Sequence, residues 1–377
     1  MRCAAALAIL LAASGCQPPC RVGVVVPESG EASVYGASVK SGVKLAFDEA
    51  TSSGRAPRGL EVIYRDSGSD PTRAASACEA LDEGGALVVI GGVTSAEAKV
   101  MLPVADRDGR VLISPSASAP DLARRSPFFF RVYPSDELEG ARAADLLVSA
   151  RGVRAVLILQ EDNDYTRGLL PVFVGELTSD GGRVVASVRV GESGWQAQVR
   201  DAIARRAPDG VYICGYGDAI LASLRVVRSL GYRGTVCTTS AFSAGPLLAR
   251  AASLAEGVFF PLASLDVKST AEPVRSFVRH YRATYNLLPD IYAAHGYDAA
   301  LAALAVLDRG RRPRADEIPG RLHSLEGTAG VMGPLVFDRD GNIERTLRNH
   351  WIHDGKVEDF EAYLERQRAR AATGGGG

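Results

Sequence analysis

Gly85-Ala-Leu-Val-Val-Ile-Gly-Gly92, running on into Val93-Thr-Ser-Ala-Glu97, and then Val111-Leu-Ile-Ser-Pro-Ser-Ala-Ser118, decide how this chain folds. Each half is an apolar run that stops abruptly at small residues. Runs without polar alternation are buried on both faces, as parallel strands are. A helix-like segment separates them, so two strands end side by side and release hydroxyls and backbone N–H groups at one sheet edge. In open parallel sheets ligands bind in the crevice outside the carboxyl ends of the strands. N–H groups at a helix start favour an anion there. Thr94 with Glu97, and Ser118 with Asp121, also fit a capping pattern, so either turn alone reads as a cap. Two such turns on neighbouring strands point to a carboxylate or similar anion site.

The same alternation runs outward from this stretch. Arg21 to Val26 and Leu60 to Tyr64 are predicted strands, and Ser41 to Glu49 and Ala74 to Leu81 predicted helices. Near Phe128 to Pro134 the pattern restarts. Val153 to Leu159, Gly182 to Val188, Gly210 to Cys214 and Thr235 to Thr238 follow as strands, with helices at Gln196 to Arg205 and Ala219 to Leu230. Short joints between alternating elements define an α/β protein with parallel sheets. Two successive units of similar size result, alike in architecture and without a sequence repeat. Two strong helices come next, Val274 to Tyr285 and Tyr292 to Asp308, then a strand and turn from Gly333 to Gly341. A strand pair, Thr346 to His353 and Val357 to Phe360, turns at Asp354-Gly355. Tyr363 to Ala372 has polar, Arg-rich helical character, and residues 366–377, ending in four glycines, are expected to form a disordered tail.

A chain of 377 residues exceeds what one core usually holds. Its net charge of -1 and lack of a clustered Lys/Arg stripe argue against a nucleic-acid partner. Met1-Arg2, the apolar stretch Ala4 to Ala13 and Ser14-Gly15-Cys16 read as a signal peptide, too short to span a membrane. The segment also resembles a bacterial lipoprotein signal with Cys16 as the acceptor thiol, although Ala13 stands where that pattern prefers a large aliphatic. Residues 1–15 would then be removed and 16–20 would be a tether. The body is expected in the periplasm or cell envelope, touching membrane through a lipid anchor only. Cys20, Cys78, Cys214 and Cys237 match no zinc or CxxC spacing, and buried free thiols are expected in preference to a Cys214–Cys237 bridge.

Several motifs, in order, carry a family resemblance. They are Val24-Val25-Val26-Pro27-Glu28-Ser29-Gly30 with Tyr35-Gly36; Tyr64 to Pro71 with its Asp70-Pro71 turn; Ile90 to Pro115; Asp164-Tyr165-Thr166-Arg167-Gly168; Tyr216; and Gly333-Pro334 with Asp338 and Gly341. Over nearly all of residues 21–361 the chain resembles the type 1 periplasmic solute-binding proteins, in the leucine/isoleucine/valine-binding branch that serves ABC transporters. The resemblance implies two doubly wound parallel-sheet lobes joined by three crossovers, with ligand in the cleft between them. Lobe 1 would be 21–134 plus 264–331, and lobe 2 would be 135–263 plus 332–365. Such a protein is a monomer without cofactor that closes on a small solute and presents it to ABC permease subunits. The same cleft could instead serve a sensing or regulatory subunit.

By that resemblance Ser95, Ser116 and Ser118 would bind the ligand's carboxylate, the residues already reached from their turns. Tyr35 on the first loop, with Tyr165 and Tyr216 after strands of the second lobe, would close over the rest. The family usually has Asp or Glu after the next strand, where it receives the ammonium of an amino acid. Here that position is Ser240, a neutral hydroxyl, which puts amine-free organic acids beside branched-chain amino acids as ligands. Glu28 and Asp218 are the sequence's candidates for the missing charge. Enzyme readings are thin: His350-x-x-His353 lies on a predicted strand, where that spacing puts the rings on opposite faces. No P-loop, dinucleotide fingerprint or G-x-S-x-G elbow occurs.

Overall fold

The computed structural model describes residues 19–307, 312–325 and 327–374, with side chains to 370. Its fold is α/β, built on two parallel-strand sheets. The first sheet holds β1 (Cys20–Val26), β2 (Leu60–Asp66), β3 (Ala86–Gly91), β4 (Val111–Ser114) and β5 (Phe129–Arg131), in the order β2-β1-β3-β4-β5. Helices α1 (Ser33–Ser52), α2 (Pro71–Glu83) and α3 (Ser95–Arg107) connect them. Every residue of β3 and β4 is buried. That explains a sequence with no polar alternation: helices cover both faces of the sheet, so nothing along these strands meets water.

The chain then crosses to a second unit. Helix α4 (Asp136–Asp145) leads into β6 (Ala155–Gln160), α5 (Asp164–Ser179), β7 (Arg183–Arg189), α6 (Trp195–Arg206), β8 (Gly210–Cys214), α7 (Gly217–Ser229), β9 (Thr235–Thr238), α8 (Gly245–Ala251) and β10 (Val258–Leu262). It returns to the first unit with α9 (Val274–Tyr285), α10 (Ile291–Val306) and α11 (Ile318–His323), and ends in the second with β11 (Arg348–His353), β12 (Lys356–Asp359) and α12 (Phe360–Gly374). The second sheet reads β12-β11-β10-β9-β8-β6-β7, with β6 to β10 parallel and the last hairpin antiparallel. Both parallel parts share one order, the first strand lying between the second and third. Each therefore has a switch point where loops diverge and leave a crevice.

Close backbone contact ties the returning helices to the first sheet. α1 packs along α10, and a Cβ on Gly42 would run into the carbonyl oxygen of Ala293. Gly296 approaches the carbonyl of Val39 in the same way. The third crossing comes later than the boundary expected at 331/332. A turn at 338–342 still lies on the edge of the first sheet: Arg131 N–H donates to the Gly341 carbonyl (3.0 Å) and Arg131 Nε to Asn342 Oδ1 (2.8 Å). β5 is an edge strand with free backbone donors, and Gly341, at φ +77°, lets the turn lie flat on it.

Two other expectations change. Helix α12 runs on to Gly374, so residues 366–374 are helical and not a disordered tail. Ala, Glu and Arg favour helix there, and Arg366 pairs with Glu358. Tyr35 lies in the first turn of α1, which starts eight residues before the predicted helix. The signal segment and Cys16 lie outside the described residues. Among those described, no helix is long and apolar enough to cross a membrane, and Cys20, Cys78, Cys214 and Cys237 are buried free thiols.

Candidate functional site

The serine turns meet as the register requires. β3 and β4 are adjacent and parallel, with Ile90 beside Ile113. After β3 the capping box forms: Glu97 N–H donates to Thr94 Oγ1 and Thr94 N–H to Glu97 Oε2, both at 3.2 Å. This leaves Ser95 as the first helical residue, buried, its Oγ accepting from Ala119 N–H (3.2 Å). Ser116 donates to the Val93 carbonyl at 2.6 Å and Ser114 to that of Gly92 at 2.8 Å. The hydroxyls thus stitch the two strand-end turns into one wall. The second cap does not form. No helix follows Ser118, so its hydroxyl faces the interlobe space and the neighbouring Asp136 carboxyl. Among the described residues, the Ser116 and Ser118 N–H groups donate to no protein acceptor.

The opposing wall comes from the carboxyl ends of the second sheet. Tyr165 follows β6 in the first turn of α5, Tyr216 caps α7 after β8, and Ser240 follows β9. These are the positions that Tyr35, Ser95 and Ser116 hold in the first unit, after its first, third and fourth strands. Tyr35 crosses between the walls. Its hydroxyl accepts from Gly217 N–H at 2.9 Å and donates to the Ala241 carbonyl at 3.2 Å. Its ring packs edge-on against Tyr216 and Tyr292.

All seven residues singled out from the sequence line one cleft: Tyr35, Ser95, Ser116, Ser118, Tyr165, Tyr216 and Ser240. Val93, Thr94, Tyr133, Ala241 and Tyr292 complete the lining. Tyr133 and Tyr292 were missed. Tyr133 sits on the first crossover and Tyr292 begins α10, so both enter the cleft from connections whose direction the sequence does not fix. Their rings lie near parallel, 6.2 Å apart. Aromatic walls with a few convergent polar groups make a pocket for a small organic solute.

The wall behind Ser240 carries a feature that sequence reasoning missed. Ser240 N–H donates to Glu139 Oε1 at 2.7 Å, and its hydroxyl donates to Glu139 Oε2 at 2.7 Å. Tyr165 hydroxyl adds a third donor to Oε1 at 3.1 Å, and Tyr133 hydroxyl donates to Ser240 Oγ at 2.9 Å. Glu139 is 2% exposed and Asp136 is wholly buried on the same face of α4. Burial raises both carboxyls above their usual range, and Glu139 further opposes the ionisation of Asp136. Neither oxygen of Asp136 meets a donor at hydrogen-bond geometry, whereas Glu139 has three. The three donors favour the charged form of Glu139, and Asp136 has no such set. The two acids expected to compensate for Ser240 do not face the cleft: Glu28 pairs with Lys40, and Asp218 with Arg250 while largely exposed.

The histidines part as expected: His350 is buried against Ser264 Oγ (2.9 Å), and His353 stacks on Trp351. Glu256, His353 and Asp354 gather at the surface, but Glu256 already accepts the N–H groups of Asp354 and Gly355 at 3.1 Å each.

Two doubly wound units facing each other across an apolar cleft, with hydroxyl and N–H donors at the strand ends, define a solute-binding fold. Residues 19–349 match the family model described as "Periplasmic binding protein", and the chain belongs to that family. It is 24% identical over 331 residues to the Leu/Ile/Val-binding protein BraC3 of Rhizobium johnstonii, covering 85% of this chain and 88% of that one. The leucine-binding protein LivK of Thermotoga maritima superposes with a TM-score of 0.83 at 26% identity, over 90% of this chain and 97% of its own. A solute-binding protein of an ABC transporter from R. palustris, solved in complex with benzoate, superposes with a TM-score of 0.81 at 21% identity, over 91% and 96% of the two chains. The relatives thus include a protein named for aliphatic amino acids and one holding an aromatic acid without an amine.

Proposed function

We propose that this chain is the extracytoplasmic solute-binding protein of an ABC importer, capturing a small carboxylate-bearing ligand such as a branched-chain amino acid. One observation carries the reading: the turns after β3 and β4 join into a wall of donors, and the tyrosines of the second sheet face it across a small apolar cleft. A carboxylate would take the donors around Ser95, Ser116 and Ser118, and the aromatic rings would cover the remainder of the solute. Because each lobe contributes half of the site, ligand binds the closed form more tightly and shifts the population toward it. The Tyr35 hydroxyl, bonded to both Gly217 and Ala241, acts as a latch of that closed form. Membrane components would read the closed shape. Lipidation of Cys16 would keep the protein at the membrane, and Cys16→Ala should then release it from the detergent phase.

A second reading rests on Ser240, where a neutral hydroxyl stands at the cleft wall and admits an acid without an amine. A thermal-shift screen of leucine, isoleucine and valine, their deaminated counterparts and benzoate tests both. A ligand at 100 times its dissociation constant stabilises the native state by about 2.7 kcal/mol. Stabilisation by no carboxylate in that screen would remove the proposal.

A further inference from the structure

Ser240 can only accept a hydrogen bond from a ligand. Its single hydroxyl proton is committed to Glu139 at 2.7 Å, its N–H is committed to the same carboxylate, and Tyr133 already donates to its Oγ. One lone pair remains on Oγ. The adjacent Ala241 presents a carbonyl oxygen, to which Tyr35 donates. The turns after β3 and β4 are the reverse, with the Ser116 and Ser118 N–H groups free of protein acceptors among the described residues. The apolar cleft therefore offers free backbone donors at the turns after β3 and β4 and acceptors at Ser240 and Ala241 on the opposite wall.

Glu139 brings to the acceptor end a carboxyl group held by three donors, which favour its charged form. Among the described residues it forms no ion pair. The cations whose charge reaches the neighbouring Asp136 are engaged elsewhere: Lys99 meets Asp164 at 3.1 Å and Asp121 at 3.6 Å, and Arg131 bonds Asn342 and the Ala119 carbonyl. A buried carboxylate without a counter-charge is costly, and three hydrogen bonds offset only part of that cost. A cation arriving at Ser240 would supply the missing partner, and attraction at that remove is strong where water is excluded.

We infer that Glu139, acting through Ser240, is the residue by which the cleft selects a ligand carrying a protonated amine together with its carboxylate, so that an α-amino acid is preferred over its amine-free counterpart. This rests on the reading of the cleft as a carboxylate site. The counter-charge comes from α4 and not from the strand-end loop, and it reaches the ligand through a hydroxyl.

Calorimetric titration of the full chain with two matched pairs, leucine with 4-methylpentanoate and valine with 3-methylbutanoate, tests it. The amine-bearing member of at least one pair should bind roughly tenfold or more tighter. E139Q should weaken that amino acid by roughly ten- to a hundredfold and leave its amine-free partner within about threefold. The double variant E139Q/S240D, which moves the charge to the loop, should restore the preference for the amine. Equal weakening of both members in E139Q would make Glu139 merely structural and overturn the inference. Should E139Q fail to fold by circular dichroism, S240A, which keeps Glu139 and removes the relaying hydroxyl, decides by the same comparison of amine-bearing and amine-free members. Tight binding of the amine-free acids alone sinks this inference and spares the carboxylate site, whereas no binding of any probe or of benzoate sinks both.

Discussion

Replacing Tyr35 by Phe removes one oxygen atom and tests whether the cleft works by closure. That oxygen accepts from Gly217 N–H at 2.9 Å and donates to the Ala241 carbonyl at 3.2 Å, both across the interlobe space. Burial pushes the phenol well above its usual range, so the group is an un-ionised hydroxyl at neutral pH. The Phe ring keeps its edge-on packing at 4.9 Å from Tyr292 and 6.2 Å from Tyr216, so no cavity of consequence opens. Two neutral hydrogen bonds contribute about 1 kcal/mol each in net terms, and an N–H stranded at a buried site costs about 1–3 kcal/mol. In the open form water satisfies the same groups, so the loss falls on the closed form alone. Affinity should drop by roughly 5- to 150-fold, the equivalent of about 1–3 kcal/mol. The melting temperature without ligand should hardly move. Calorimetry with the carboxylate that stabilises best, paired with small-angle scattering, reads both effects. If Tyr35→Phe binds within twofold of wild type and compacts equally at saturation, the latch argument is wrong.

Three further outcomes follow from the structure. Ser95→Ala and Ser118→Ala should each weaken carboxylate binding by about 1–3 kcal/mol while changing stability less, read by calorimetry and urea melts; normal binding by both would make the serines structural only. Asp82 is 6% exposed, its oxygens meet no donor, and burial raises its carboxyl to about 6. The folded state then holds a proton that the unfolded chain has lost between about pH 4 and 6, so stability from this group is present at low pH and falls as pH rises through that window. Asp82→Asn should therefore gain about 1–3 kcal/mol at pH 8 and nothing at pH 3.5 in denaturant melts; a gain independent of pH would refute the assignment. Gly42→Ala should cost about 3 kcal/mol or more, since the new methyl meets the Ala293 carbonyl where α1 crosses α10, while Gly320→Ala in α11, with open space around it, should be neutral or stabilise by up to about 1 kcal/mol.

Much of the frame was legible because it rests on local pattern. Short unbroken apolar runs such as Ala86 to Ile90, bounded by glycines, fit strands buried on both faces, and Gly210 to Cys214 and Thr235 to Thr238 fall where the sequence puts them. β5 and α4 were not legible. A strand of three residues leaves too little periodicity, and the first turn of α4, Asp136-Glu137-Leu138-Glu139, reads as a solvated acidic helix start. A signal was present even so: Asp136, Glu139, Gly140 and Ala143 recur at helical spacing, and all four are buried, while Leu138 is exposed. Small residues beside two acids on one face mark a helix packed closely with its carboxyls inside.

Sequence alone determined the two α/β units and the serine-bearing strand ends from which one wall of the site is built, because each follows from the hydrophobic period and turn chemistry of its own neighbourhood; Tyr35, Tyr165, Tyr216 and Ser240 were reached only through the family resemblance. The character of Ser240 was decided elsewhere. Read locally it is a neutral hydroxyl; in the fold a carboxylate 101 residues earlier in the chain holds both its proton and its N–H. Electrostatics of a buried group depend on every charge within a few ångströms, whatever its distance along the chain, and only the packing of α4 against the second sheet brings Glu139 there.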